Sequence, residues 1–221
     1  MKIIAFPDLH NDLTDLSKIG NALSQVDLVL LVGDLTNGGS SQDASEVVQL
    51  VRKFNPSILA IPGNWDKPEV ETYLSQERIN LHLRHIQMEG LTFIGMGLSL
   101  PGVVPTPNEI TESDFERFFA EVVLNLNPNE PEILLCHQPP YGTKNDLAQG
   151  KIHVGSKVVR AFIEQRQPLI CFTGHIHEGV GIDQIGKTRI INPGPLSEGN
   201  YVYAEVTTEG IKTLEIMTTK S

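Results

Sequence analysis

The 221-residue sequence predicts an α/β fold built on parallel strands. Three observations point there. Short apolar runs alternate with helical periodicities through the first third of the chain. Within each run consecutive residues are apolar, as in strands covered on both faces. Each run also stops at a polar residue able to bind a metal, and open α/β sheets place their sites along that edge.

The elements follow in order. Residues 3–6 form the first run and end at Pro7-Asp8. Leu13, Leu16, Ile19 and Leu23 recur at helical spacing and predict a helix over 12–24. Leu28-Val29-Leu30-Leu31-Val32 is the second strand, closed by Gly33-Asp34. A polar loop, 37–41, leads to a helix marked by Val47, Leu50, Val51 and Phe54 and stopped before Pro56. Ile58-Leu59-Ala60-Ile61 is the third strand, closed by Pro62-Gly63-Asn64-Trp65-Asp66. Pro68 suits the first turn of a helix over about 68–78.

The middle changes character. Residues 85–88 and 91–95 straddle Glu89-Gly90 as a hairpin. Ser99 to Asn108 holds Pro101, Pro105 and Pro107 and reads as a long irregular loop, of the kind that is functional or mobile. Ser113 with Glu116 matches a capping box and opens a helix whose core face is Phe115, Phe118, Phe119, Val122 and Leu126. Ile133-Leu134-Leu135-Cys136 is a strand ending at His137. Gly155-Ser156 opens a helix carrying Val159, Phe162 and Ile163. Leu169-Ile170-Cys171-Phe172 is a buried strand followed by Gly174-His175-Ile176-His177. Strand-like pieces at 188–191, 201–206 and 211–217 complete the chain, with turns at Asn192-Pro193-Gly194 and Glu209-Gly210. No repeat, linker or low-complexity segment divides it, so residues 1–221 read as one domain.

Composition narrows the class. A chain of this length buries roughly 70% of its unfolded surface and needs no disulfide. Cys136 and Cys171 sit in apolar runs, as the reduced thiols of a cytoplasmic protein do. The first residues are too soon interrupted for a signal peptide, and no apolar run approaches the roughly 20 residues of a membrane span. The expectation is a soluble cytoplasmic protein without a membrane partner. A formal charge of −10 argues against an extended grip on nucleic acid. It permits a small anionic substrate where bound cations supply local positive charge. Composition leaves homo-oligomer formation open.

The chemistry-bearing residues gather at strand ends. Two histidines at i and i+2 of an extended chain point to one side, yet Gly174-His175-Ile176-His177 alone reads equally as a solvated loop. Collected with the other strand ends, the set becomes Asp8, His10, Asp34, Asn64, His137, His175 and His177. Seven donors exceed one ordinary site and suit two divalent metal ions that share a carboxylate. Mixed nitrogen and oxygen donors point to Mn, Fe, Zn, Co or Ni rather than Ca or Mg.

Asp8-Leu9-His10, Gly33-Asp34, Gly63-Asn64-Trp65-Asp66, His137 and Gly174-His175-Ile176-His177 stand in the order of the motifs D-x-H, G-D, G-N-H-D/E, H and G-H-x-H. From Asp8 to about Gly194 the sequence therefore resembles the calcineurin-like metallophosphoesterase superfamily. The resemblance implies a four-layer α/β/β/α sandwich of two mixed sheets flanked by helices. It implies a hydrolase of phosphodiester bonds, or of phosphomonoester or pyrophosphate-like bonds, acting through a metal-bridging hydroxide. It implies that Asp8, His10 and His177 hold one metal, that Asn64, His137 and His175 hold the other, and that Asp34 bridges them. The implied partner is a small anionic phosphoester.

One position departs from the pattern. Trp65 stands where the superfamily has a histidine that contacts the phosphate or protonates the leaving group. An indole offers one N–H donor and no titrating proton. General acid catalysis contributes typically about 10²–10⁴-fold, so the expectation is modest turnover that favours good leaving groups. Trp65 also reads as a side chain packed over the site or stacked on a base. His153 is a candidate substitute acid, and the Gly155-Ser156 helix start a candidate phosphate site, each set beside a bland reading as a surface histidine and an ordinary N-cap. The candidate catalytic set is Asp34, Asn64, Trp65, Asp66 and His153. His82 and His85 are expected as partly exposed strand residues. Two further readings stand beside the enzyme. A non-catalytic scaffold resembling the retromer subunit of this fold does not need all seven ligands. A nuclease resembling the superfamily's repair enzymes is opposed by the acidic balance and the lack of a basic stripe.

Overall fold

A computed structural model describes residues 1–124, 126–127 and 130–220. The first third alternates β1 (Lys2–Phe6), α1 (Gly20–Leu23), β2 (Leu28–Val32), α2 (Ser41–Arg52), β3 (Ile58–Ile61) and α3 (Pro68–Gln76). The hairpin β4 (Arg84–Met88) and β5 (Leu91–Met96) precedes α4 (Glu112–Val122) and β6 (Glu132–Cys136). A short ribbon, β7 (Leu147–Ala148) and β8 (Ile152–His153), leads to α5 (Lys157–Arg166) and β9 (Ile170–Phe172). The last strands are β10 (Gly181–Ile185), β11 (Thr188–Asn192), β12 (Asn200–Thr207) and β13 (Gly210–Thr218).

Two mixed sheets result, in the orders β13-β12-β1-β2-β3 and β10-β11-β9-β6-β5-β4. β1, β2 and β3 run parallel, as do β5, β6, β9 and β11. β12, β13, β4 and β10 pair antiparallel. Because side chains alternate across a strand, each central strand feeds two cores. Ile4, Phe6, Val29 and Leu31 pack under Val47, Val51, Val70 and Leu74 of α2 and α3. Ile3, Ala5, Leu28 and Leu30 face Phe93, Ile133, Leu135 and Phe172 between the sheets. Ile94, Met96, Leu134 and Cys171 meet Phe115, Phe119, Phe162 and Ile163 of α4 and α5. The layers are therefore α/β/β/α. Burial on both faces explains why the strands read as unbroken apolar runs.

Local expectations are corrected for the helix over 12–24 and for the two ends of α4, and two further elements appear. The helix expected over 12–24 is a 3-10 turn, Leu16–Ile19, followed by the single turn of α1. The Asp12 carboxylate accepts the Thr14 N–H at 3.1 Å, and such local bonds compete with helix. The capping box of α4 is Thr111 with Asp114, two residues before the one expected, and Leu126 lies past the helix end while still packing on that core. The strand β10 is an addition to the expected elements. The 3-10 turn Lys144–Asp146 leaves β7–β8 as a ribbon separate from both sheets.

His85 lies exposed on β4, as expected of a strand residue, but His82 is 3% exposed and accepts the Gly97 N–H through Nδ1 at 2.8 Å. Burial pushes its pKa from 6.5 down to about 4. An unfolded chain takes up this proton near its ordinary pKa, whereas the folded chain resists it. The stabilisation is whole above that value and is lost as pH falls towards the folded pKa. It amounts to on the order of 3 kcal/mol. Chemical denaturation at pH 7 and pH 4.5 should show a smaller acid loss in His82→Gln than in the parent. Equal losses would count against this role.

Candidate metal centre

The seven donors follow β1, β2, β3, β6 and β9, at the carboxyl edge where the two sheets meet. Close packing there explains the glycine before three of them. A Cβ on Gly33 would overlap the His137 ring, one on Gly63 would overlap Asp34, and one on Gly174 would overlap Pro7 and Asp8. Each glycine makes room for a neighbour from another strand.

The backbone at four of the donors is left-handed. Asp8, His10, Asp34 and His175 have φ of 54°, 46°, 51° and 66°. Non-glycine residues there cost on the order of 1–2 kcal/mol each, a strain that clusters at functional sites. So His175 and His177 do not converge through strand pleating. The left-handed residue at 175 turns the chain instead. Hydrogen bonds hold these turns: Asp8 N–H to Gly33 O at 3.0 Å, His10 N–H to Asp34 O at 2.9 Å, and His175 N–H to Asp8 Oδ2 at 3.0 Å.

Two clusters form. Asp8, His10 and His177 make one, and Asp34, His137 and His175 the other, each with its ligand atoms within 4.8 Å of one another. His10 Nε2 lies 3.2 Å from His177 Nε2, and His177 Nε2 lies 3.5 Å from Asp8 Oδ1. His137 Nε2 lies 3.1 Å from Asn64 Oδ1 and 3.4 Å from Asp34 Oδ2. Asp34 Oδ2 is also 3.7 Å from His10 Nε2, which places that carboxylate between the clusters. Donors about 2.1 Å from one ion lie roughly 3.0–3.5 Å apart at tetrahedral or octahedral angles. The residues present therefore fit two divalent cations.

The electrostatics agree. Burial would raise Asp34, but His137, His10 and the Trp65 N–H hold it below the usual carboxylate range. Burial would lower His137, yet Asp34 and Asp8 outweigh it and push His137 up to about 9. Burial and the neighbouring His137 push His175 down to about 4. Asp8 raises His177. Two buried carboxylates thus draw positive charge towards them, which a cation supplies as well as a proton does.

Supporting side chains aim the donors. His137 Nδ1 lies 2.9 Å from Val32 O; as its donor it leaves Nε2 free for a cation. Asn64 Nδ2 donates to Thr106 Oγ1 at 3.1 Å, and Thr106 Oγ1 donates to Glu109 at 2.7 Å, which turns the Asn64 oxygen towards His137. Asn192, fully buried, donates to Ile176 O at 2.8 Å and ties down the His175–His177 turn. Thr106, Glu109 and Asn192 are absent from the set read from the sequence. The legible signal is a polar residue at the end of an apolar strand, and only Asn192 carries it.

Asp66 stands apart from the donors. It is 0% exposed and accepts Leu35 N–H, Thr36 N–H, Thr36 O–H and Gly63 N–H at 2.8–3.0 Å. Burial and Asp34 raise it to about 6, against the Gly63, Thr36 and Leu35 N–H groups. It clamps the loop after β2 to the loop after β3 and so positions Asp34 and Asn64. Asp66→Ala should cost about 3–5 kcal/mol, because four buried donors lose their acceptor. Urea unfolding would show it, and a loss below about 1 kcal/mol would contradict the clamp.

Trp65 donates its backbone N–H to Asp34 Oδ1 at 2.8 Å. It lines a cleft of about 180 Å³ with Asn64, His175, Leu100, Val104 and Thr106 among others. His153 is not brought to the cluster: Nδ1 lies 2.7 Å from Asp146, and the ring packs on Tyr141. Among the described residues it makes no hydrogen bond or ring contact with the seven donors. The phosphate site expected at the start of α5 is filled. The Glu112 carboxylate takes Ser156 O–H, Lys157 N–H and Val158 N–H at 2.5–3.3 Å.

The calcineurin-like phosphoesterase family model matches residues 1–179. The chain belongs to this family. Its members typically bind two divalent metals and hydrolyse phosphoric esters. A protein of Methanocaldococcus jannaschii is similar to this family member, 34% identical over 89% of each chain. A probable glycerophosphodiester phosphodiesterase of Arcobacter nitrofigilis is 26% identical over 77% of this chain and 64% of its own length. The crystal structure of TT1561 from Thermus thermophilus shares the fold, with a TM-score of 0.78 at 20% identity over 99% of each chain.

Proposed function

We propose that the chain is a dinuclear metal-dependent phosphodiesterase. The shared position of the Asp34 carboxylate, between two clusters of imidazole and carboxylate donors, carries this reading. Asp8, His10 and His177 would hold one ion, and Asn64, His137 and His175 the other, with Asp34 on both. Mn, Fe, Zn, Co and Ni suit that donor set. Bound there, two cations supply Lewis acidity and lower the pKa of a coordinated water towards roughly 7.

The chain's own residues do the rest. Two carboxylates, four imidazoles and the Asn64 amide would hold the cations, and no covalent protein nucleophile is required. Val32 O fixes the His137 ring, and Thr106 with Glu109 fixes the Asn64 amide, so those donors need no reorganisation when substrate arrives. Trp65 offers no proton to a departing alkoxide. Nor is His153, held on Asp146, given that task. The enzyme therefore suits leaving groups that depart as anions, and diesters or pyrophosphate-like bonds over alkyl monoesters. The likeness to a probable glycerophosphodiester phosphodiesterase supports the diester preference. Two buried free thiols suit a cytoplasmic setting, and cores built on shared strands suit one domain over 1–221.

Hydrolysis of p-nitrophenyl methyl phosphate and p-nitrophenyl phosphate by Mn-loaded protein tests the reading. The diester should be cleaved faster. Trp65→His should raise turnover of an alkyl monoester by about 10-fold or more, below the usual contribution of a general acid because the new imidazole is not positioned by its surroundings. Unchanged alkyl monoester turnover in Trp65→His would remove the account of Trp65. Absence of hydrolysis of every substrate would remove the enzyme.

A further inference from the structure

We infer that the cleft beside Trp65 is a subsite for an uncharged, single-ring or similarly short apolar ester group of the substrate. This rests on the phosphoesterase reading and adds the class of group the phosphate carries. The cleft shares Asn64 and His175 with the donor set, so a phosphate at the cations would project one substituent into it. Trp65 and the loop residues Ser99, Leu100, Gly102, Val104, Thr106 and Glu109 complete its lining.

Three observations define the occupant. The first is charge. Among the described residues no lysine or arginine lines the cleft, and Glu109 stands at its wall. A second phosphate or a carboxylate on the substrate would enter without a cation and beside a like charge. The second is size. At about 180 Å³ the cleft falls below the roughly 300–1,000 Å³ of sites for drug-sized ligands, so it suits one ring or a short chain and not an oligonucleotide. The third is surface. The lining is mostly apolar, and Trp65, Leu100 and Val104 within it gain most from an apolar or planar group.

The loop that builds this wall is fixed from below and open above. Ile110 N–H bonds Ser99 O at 2.9 Å, Leu100 N–H bonds Gln138 Oε1 at 2.8 Å, and Asn108 bonds Asn64 O and Asp66 O at 3.1 and 3.2 Å. At its tip Val103 is fully exposed and Val104 is 65% exposed. Apolar side chains held in water on an anchored loop next to the donors are placed to cover a ligand, because burying them is favourable only once the cleft is filled.

Non-hydrolysable phosphonates test this apart from catalysis. Phenylphosphonate, methylphosphonate and phosphonoacetate carry the same phosphonyl group with a ring, a methyl or a carboxylate attached. Binding to Mn-loaded protein is measured by calorimetry. Trp65 is the single tryptophan of the chain, so its fluorescence also reports occupancy directly. Phenylphosphonate should bind about 10-fold or more tighter than methylphosphonate and perturb Trp65 emission, with phosphonoacetate the weakest. Trp65→Ala should bring the phenyl-to-methyl ratio to within about 2-fold. Val104→Asp, which changes a wall of the cleft and none of the seven metal donors, should reduce it in the same direction. Equal affinities for all three compounds, or a phenyl preference unchanged in both variants, would overturn the subsite. A phenyl preference in a protein that hydrolyses no ester would instead leave the subsite standing and remove the phosphoesterase reading.

Discussion

Asp34→Asn is expected to lower kcat/KM for a phosphodiester by more than about 10³-fold while leaving the fold intact. Outer partners of metal ligands already cost roughly 10–100-fold when removed, and this residue is placed to serve both ions. Its Oδ2 is 3.4 Å from His137 and 3.7 Å from His10, and its Oδ1 accepts the Trp65 N–H. An amide keeps the shape but removes the charge that would lie between two cations. The loss should appear as fewer metal ions per chain and as lost turnover at saturating substrate. Hydrolysis that survives unchanged would show that the shared carboxylate has no part in the reaction.

Gly33→Ala should be a strongly damaging small substitution at the site. Gly33 has φ of 87°, where alanine costs about 1 kcal/mol or more. A Cβ there would also meet the His137 imidazole and the Gly63 backbone. The ring cannot yield cheaply, because Nδ1 is held on Val32 O. Together these costs predict a loss of about 2–4 kcal/mol in unfolding free energy and weaker metal binding. Gly150→Ala separates the two contributions. Gly150 has φ of 63° and nothing within 4 Å of an added Cβ, so it should lose only the conformational part. Similar losses in the two variants would mean that the approach of Gly33 to His137 is unimportant.

The strands β1, β2, β3, β5, β6 and β9 are legible in the sequence because they are buried on both faces and so leave unbroken apolar runs. The donors are legible because each follows such a run. Gly33, Gly63 and Gly174 are legible as motif glycines, though the reason for them lies in neighbours from other strands. The left-handed conformations of Asp8, His10, Asp34 and His175 leave no local signal. Those of Asp8 and His10 are held by hydrogen bonds across the site to the Gly33 and Asp34 carbonyls, which local sequence does not reveal. β10 escapes a sequence reading because Asp183 and Gln184 interrupt it and an edge strand needs little burial. His82 gives no sign of its burial because the groups that enclose it, Phe118 and Gly97 among them, are distant in sequence. The start of α5 has the look of an anion site, and it is one, but the anion is Glu112 of the chain itself.

The site's support is the least legible part. Asp66 reads as a catalytic member of its motif, and the sequence does not reveal the hydrogen bonds by which it also ties two loops together. Thr106 and Glu109 lie in or beside what reads only as a proline-rich loop, yet they set the orientation of Asn64. Such residues act through others, so no spacing in the sequence marks them.

Metal content of the purified protein, measured by mass spectrometry after reconstitution with Mn and removal of loosely held ions, tests the dinuclear centre most directly. Close to two ions per chain are expected in the parent, with fewer in Asp34→Asn. Fewer than one ion per chain in the parent would contradict a two-metal site, and with it the phosphodiesterase built on that site.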